Sequence, residues 1–273
     1  MKDGRSSDTA LGASVIRAVH QILDEKPPIL EDPISPVLVG NETLREIQKD
    51  PEKYRTLPAR ALRSHIVLRS RYAEDELHRA VESGITQLVS VGAGYDTFAL
   101  RQPEWARTLK IVEVDHPASQ RAKLETIRRA QIPVPPNEAF VPLDLEEQEL
   151  ESVIANGDVD PVLPTFVACL GVLAYLRPET VRRVFKSVVR MAKGSRFVFA
   201  FASSQGSVLA TKTAALGEPW LARFDLDDLK AELIRVGFSK VSFLDPAEAT
   251  ERYYRGRHDL PAPQKTSLCQ AVV

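Results

Sequence analysis

Cysteine is scarce: Cys169 and Cys269 are the only two, with no Cys-x-x-Cys spacing and too few sulfurs for a multi-bridge framework. A reducing cytoplasm is the compartment such usage suggests. The five histidines never recur as His-x-x-x-His or His-Glu-x-x-His, so no metal centre is nominated. Neither sign of charge is in excess, with 36 Lys and Arg against 37 Asp and Glu. A phosphate backbone held by counterion release needs a basic field, so nucleic acid is not an expected partner. Long apolar runs are also missing. Met1 to His20 lacks the continuous apolar stretch of a secretory signal. The longest run, Phe166 to Leu176, is eleven residues, where a membrane-spanning helix needs about 20. What remains is a soluble chain of 273 residues, 44% hydrophobic and 27% charged. That composition can bury a sizeable core in one domain with an N-terminal extension.

Along the chain, Leu11, Val15, Val19 and Ile22 recur at helical spacing and predict an amphipathic helix that stops before Pro27-Pro28. Pro33, Pro36, Pro51 and Pro58 interrupt the next thirty or so residues, each removing a backbone donor. A helix is predicted over 59–82, closed by Gly84. From there strands and helical segments alternate. Strands are expected at 87–91, 109–114, 139–143, 165–170, 196–202, 241–244 and 267–273. Val181, Val184, Phe185 and Val188 form an apolar stripe on a helix with Pro178 in its first turn. A later helix opens at Asp225, carries Leu226, Leu229 and Leu233 on one face and ends at Gly237. Such alternation implies an α/β fold, a mostly parallel sheet covered on both faces.

The chemistry gathers at strand ends. Gly92 and Gly94 follow the first strand, where absent side chains let backbone N–H groups approach a ligand. Twenty-one residues after Gly94, the second strand ends in Glu113-Val114-Asp115, placing a carboxylate where ribose hydroxyls would lie. The alternative is a tight turn, with Asp115 capping the next helix. A dinucleotide site would show a third glycine where Gly92-x-Gly94-x-x-Thr97 has threonine, which disfavours nicotinamide. After the third strand, Asp144-Leu145 offers a carboxylate and a backbone N–H, the pattern adenine reads, although Asp144 is equally suited to start a helix around 146–153.

Taken in order, Arg69-Ser70-Arg71, Val91-Gly92-Ala93-Gly94-Tyr95-Asp96-Thr97, Glu113-Val114-Asp115-His116-Pro117, Asp144-Leu145 and Leu170-Gly171-Val172-Leu173-Ala174-Tyr175-Leu176 make a constellation. It continues in Ala215-Leu216-Gly217-Glu218-Pro219-Trp220 and Arg252-Tyr253-Tyr254-Arg255-Gly256-Arg257. The whole resembles the leucine carboxyl methyltransferase family, especially its bacterial branch. That resemblance implies a Rossmann-like class I methyltransferase with a seven-stranded, mostly parallel sheet, helices on both faces and an N-terminal helical cover. Residues 1–86 would be the cover and 87–273 the core. It implies S-adenosyl-L-methionine as cofactor, with Asp115 on the ribose, Asp144 and Leu145 on the adenine, and Gly92, Ala93 and Gly94 beneath the methionine part. Arg69 would pair with the cofactor carboxylate through two parallel donors; otherwise it belongs to a solvated helix face with Arg60, Arg63 and Arg71. Eukaryotic members carry a glutamate after the fourth strand where this chain has Leu170, which leaves the cofactor ammonium to backbone carbonyls.

The function so implied is O-methylation of a small-molecule carboxylate or hydroxyl. A carboxylate, with a pKa near ~4, needs no general base at neutral pH, whereas a phenol near ~10 benefits from one. No catalytic residue stands out. Tyr175, at the end of the fourth strand, either faces the transferred methyl or packs its ring under the sheet edge. His116 belongs beside the ribose, which leaves His65 and His258 as the bases to consider. A nucleotide-binding oxidoreductase and a non-catalytic cofactor-binding module are the rival readings.

Overall fold

Each short β-rich run becomes a strand, and seven strands form one sheet. The structure is a computed structural model that describes residues 7–204, 213–214 and 217–273. Ala215 and Leu216 of the later motif, and residues 1–6 of the expected cover, lie outside the described residues. The strands are β1 Gln87–Val91, β2 Lys110–Asp115, β3 Glu138–Pro142, β4 Thr165–Cys169, β5 Arg196–Ala200, β6 Lys240–Phe243 and β7 Leu268–Val272. Their order is β3-β2-β1-β4-β5-β7-β6. The first five are parallel, while β7 runs antiparallel between β5 and β6. Strand order reverses between β1 and β4, the place where an open α/β sheet leaves a crevice beyond its carboxyl ends. Register brings Val91 level with Val114 and Asp115 level with Pro142, so β1, β2 and β3 end together at that crevice.

Side chains alternate across the sheet with period two. One face presents Val89, Val112, Val167, Phe197 and Phe199 to helices α7 (Pro178–Val189) and α8 (Leu226–Val236). The predicted stripe Val181, Val184, Phe185 and Val188 is buried there, as are Leu229 and Leu233. Leu226 lies outside that face, 48% exposed. The other face presents Leu88, Ile111, Phe166 and Val198 to α4 (Leu57–Glu82), through Val67, Leu68, Leu77 and Ala80. Helix α5 (Pro117–Arg129) makes the crossover from β2 to β3.

The prolines of the N-terminal segment begin helices. Pro33 precedes α2 (Ile34–Lys49), Pro51 precedes α3 (Glu52–Arg55), and Pro58 sits in the first turn of α4, positions where a missing N–H costs nothing. Helix α1 (Asp8–Leu23) departs from the sequence expectation in one respect. Of its expected apolar face Val19 is fully buried, but Leu11 is 42% exposed. Ser14, Arg17 and His20 are buried instead. Apolar periodicity misses this face because Arg17 and His20 find partners inside the protein, whereas the Ser14 hydroxyl is buried with none among the described residues. Arg17 Nε donates to Asp32 at 2.9 Å. His20 Nδ1 lies 2.7 Å from Asp24, and His20 Nε2 accepts from the Leu30 N–H at 3.3 Å.

Candidate active site

Past Val91 the chain turns through Gly92 and Gly94, both at positive φ (65° and 52°), a region open to glycine. A Cβ on Gly92 would collide with Val172, and one on Gly94 would stand 3.1 Å from Ala10 of α1. The turn is bound to β2 through the Gly92 N–H, which donates to the Val114 carbonyl at 2.7 Å. Asp115 closes it further. Its Oδ2 accepts from the Gly94 N–H at 2.5 Å and its Oδ1 from the His116 N–H at 2.7 Å. Burial pushes the Asp115 carboxyl up, and those two N–H groups oppose the shift. Asp115 does not cap the following helix. His116 does, its Nδ1 accepting from Ala118 at 3.2 Å.

With Nδ1 so engaged, a neutral His116 carries its proton on Nε2, which lies 3.5 Å from Asp144. His116 thereby meets the carboxylates at the ends of both β2 and β3, Asp115 through its backbone N–H and Asp144 through its imidazole. Asp144 starts no helix at 146: it closes a single turn, with Oδ1 accepting from Glu146 at 2.9 Å, and helix α6 waits until Glu151–Ala155. Leu145 is buried, and its N–H has no acceptor among the described residues.

Across the crevice, α4 supplies Arg69. Its guanidinium forms no hydrogen bond or ion pair among the described residues. Burial pulls its pKa down to about 10, helped by Arg17 and opposed by Tyr175 and Asp96. Room for it comes from Gly171, where a Cβ would strike the guanidinium. A half-buried cation with no hydrogen-bond or ion-pair partner among the described residues gains when an anion arrives. One turn earlier on the same helix, His65 is pushed down to about 4 by burial and then by Arg69, which leaves the imidazole neutral and weakly basic. Tyr175 ends the 3₁₀ turn Leu173–Tyr175 beyond β4. Leu170 turns under the sheet toward α4, lining a small cavity with Ser70, Glu74, Ser90 and Asp96. His258 is elsewhere, in a cavity with Asp24, Arg55, Arg60 and Arg63.

Sequence reasoning misses the charges that hold this arrangement. Asp32, fully buried, accepts from Arg17 and lies 3.4 Å from Arg101, whose other nitrogens pair with Glu74 at 2.5 Å and 3.1 Å. Arg17 also donates to the Tyr95 carbonyl at 2.5 Å. These links tie α1, α4 and the glycine turn into one unit. A second cluster lies under β2 and β3. Lys123 Nζ meets Glu113 at 2.5 Å with both nearly inaccessible, while both carboxyl oxygens of Glu138 are buried without a partner among the described residues. The one signal for it in the sequence is Glu113 itself, an acid between Val112 and Val114 in a strand.

Comparison with known proteins bears on the family and the fold. A profile described as leucine carboxyl methyltransferase matches residues 10–189. A Bacillus subtilis (strain 168) protein named "Putative S-adenosyl-L-methionine-dependent methyltransferase YktD" is 28% identical, over 95% of each chain. A similarly named Frankia alni protein is 31% identical over 69% of this chain and 66% of its own. Among solved structures, "a putative methyltransferase from Thermobifida fusca YX" superposes with a TM-score of 0.60 at 19% identity, covering 99% of this chain and 96% of that one. A duf574 family protein from Streptomyces avermitilis gives 0.57 at 15% identity, covering 96% and 95%. At such identities the structural likeness speaks for the fold alone.

Proposed function

The chain belongs to the leucine carboxyl methyltransferase family and is an S-adenosylmethionine-dependent methyltransferase; on that premise we propose that it methylates an oxygen of a small molecule, a carboxylate ahead of a hydroxyl. The observation that carries this reading is where the candidate bases stand: His116 is engaged by the Ala118 N–H and Asp144, His258 lines a separate cavity, and His65 is left to consider. The imidazole beside Arg69 is held far below its ordinary pKa, and a base that weak cannot usefully take a proton from an alcohol or phenol at neutral pH. An acceptor that arrives already ionised needs none.

The residues at the crevice fit the cofactor. Arg69, a half-buried cation with no hydrogen-bond or ion-pair partner among the described residues, suits the amino-acid carboxylate. The turn Gly92-Ala93-Gly94, with both glycines at positive φ, suits a backbone path beneath the methionine part, while Val172 and Ala10 fill the space where Cβ atoms would stand. Asp115 suits the ribose, and Asp144 with the Leu145 N–H suits adenine, His116 keeping the two carboxylates in place. Leu170, turned under the sheet, leaves only main-chain atoms at its position for the ammonium. The bound cofactor supplies an electrophilic methyl group on a positively charged sulfur. The protein's part is alignment: Gly171 and Arg69 fix one end, Asp115 the other, and Tyr175 borders the mouth where an acceptor enters. No side chain is asked to move a proton when the acceptor is a carboxylate.

We also read residues 1–86 as a cover and 87–273 as the core. In support, α4 shares one apolar cluster with the sheet, and α1 meets the glycine turn through Ala10 and Arg17. Neither the oxidoreductase nor the non-catalytic reading draws support from the named relatives. A screen of small organic acids and alcohols with methyl-labelled S-adenosylmethionine tests the proposal. The expected product is a methyl ester that mild alkali hydrolyses, and a base-stable ether would reject the carboxylate while leaving methyl transfer standing.

A further inference from the structure

The turn Gly217-Glu218-Pro219-Trp220 stands at the seam between the cover and the sheet, outside the residues that suit the cofactor. It is clamped from two sides. Glu218 receives three donors from the start of α1: Ser7 Oγ at 3.1 Å, the Asp8 N–H at 3.0 Å and the Thr9 hydroxyl. Residue Ala10, next in line, is the one that lies against Gly94. Immediately after Trp220, the N–H groups of Leu221 and Ala222 both donate to the Ala174 carbonyl, at 2.7 Å and 3.2 Å, beside Tyr175 at the end of β4. The turn therefore spans from above the glycine loop to the mouth of the β4 end.

Trp220 carries an unmet demand at that place. Its indole N–H is buried and has no acceptor among the described residues. Indole nitrogen is a donor only, and a buried donor without a partner costs free energy unless something completes it. The Arg223 guanidinium stands 5.9 Å over the same ring, adding positive charge beside the donor. A rigid two-sided clamp, an unsatisfied donor and a neighbouring cation together favour an anionic oxygen.

We infer that the Trp220 indole N–H hydrogen-bonds a carboxylate oxygen of the methyl acceptor, making this turn the acceptor-recognition element of the site. The inference rests on the carboxylate reading of the function. Glu218 serves it by fixing the turn to α1, so the acceptor contact and the cover over the cofactor are built as one piece.

The chain has two tryptophans, so its indole N–H groups give two nitrogen–proton resonances, and Trp220→Phe identifies one by its loss. Trp105, stacked on His78 with ring centroids 4.5 Å apart, serves as the internal reference. Acetate, hexanoate and benzoate, each paired with its methyl ester, are titrated into the S-adenosylhomocysteine complex. The expected result is a saturable downfield shift of the Trp220 proton with at least one acid, a weaker response to its ester and no movement of Trp105. Calorimetry should show that acid binding Trp220→Phe roughly tenfold or more weakly, the loss of one hydrogen bond to a charged acceptor, with S-adenosylhomocysteine affinity unchanged. Silence of Trp220 toward all three acids, or equal movement of both tryptophans, overturns the inference. Supplying S-adenosylmethionine with the same acids separates the two ideas. A Trp220 response without ester formation leaves the contact standing and sinks the carboxylate chemistry. Ester formation equal in the wild type and Trp220→Phe sinks the contact and leaves the chemistry.

Discussion

Beneath α7 and α8 the sheet packs mainly through Val and Phe side chains, with Phe197 and Phe199 inaccessible and in ring contact with Phe185 of α7. Beneath α4 and α5 the opposite face sets Leu88 and Ile111 beside Glu113, Lys123 and Glu138, and Arg17, Asp32 and Glu74 of the N-terminal segment form a further charged cluster with Arg101. The first face is a stability device, since close-packed apolar area contributes without geometric demands. Buried ion pairs are a poor way to gain stability, because desolvation offsets most of the attraction. That they accumulate around the glycine turn and Arg69 places the molecule's specificity on that side.

The largest expected effects come from breaking each face at one residue. Asp32→Ala leaves Arg17 and Arg101 short of their shared carboxylate, and should cost about 3 to 5 kcal/mol. Denaturant unfolding measures that loss, and calorimetry should show weaker S-adenosylhomocysteine binding as well, because Arg17 holds the Tyr95 carbonyl. On the apolar face, Leu233→Ala should cost roughly 2 to 5 kcal/mol by leaving a cavity. There the affinity of the folded fraction should stay unchanged. Equal affinity losses in both variants would erase the distinction between the faces.

A smaller and more local effect is expected at Asp115. Its removal takes away a charge-assisted acceptor that also holds the Gly94 N–H, so Asp115→Ala should weaken cofactor binding by about 1.5 to 3 kcal/mol in a folded protein. Undiminished affinity in calorimetry would release Asp115 from the ribose role.

The remaining effect is one of pH. Glu138 is raised to about 8, first by burial and then by the Glu113 carboxylate, against an unfolded value near ~4.3. The neighbouring Lys123 opposes the rise, and Glu113 is itself pushed up by burial. A carboxyl raised on folding contributes stability below the unfolded pKa and loses it as pH rises through the folded one. Wild-type stability should therefore fall between about pH 4 and pH 8 by more than that of Glu138→Gln. Parallel pH dependences of stability for the two proteins would show that folding does not raise the Glu138 pKa.

The sheet is legible in the sequence because its strands are short apolar runs bounded by turn residues, and all seven start within a residue of the expected position. Gly92, Gly94, Asp115 and Asp144 are legible because ligand chemistry in such folds gathers at strand ends, a position the sequence order itself marks. Arg69 is visible as an arginine but not as an unpaired one, since pairing depends on what the fold leaves nearby. The buried side of α1 escapes for a related reason. Arg17 and His20 look like solvent-facing residues until Asp32 and Asp24 are brought to them. Glu218 is harder still, because its partners lie more than two hundred residues away in the chain. Sequence periodicity reports apolar burial and is silent about polar groups buried in pairs.

Arg69 tests most directly whether the charged side exists for a ligand. Arg69→Met keeps the length of the side chain and removes a half-buried cation that has no hydrogen-bond or ion-pair partner among the described residues. Two readouts are needed together, thermal unfolding of the ligand-free protein and calorimetric titration with S-adenosylhomocysteine. The expected result is a ligand-free protein that melts no lower than the wild type, with cofactor affinity reduced roughly tenfold or more by loss of a charge-assisted pair. A variant that melts well below the wild type yet binds S-adenosylhomocysteine as tightly would contradict the account, because Arg69 would then serve the fold and not the cofactor.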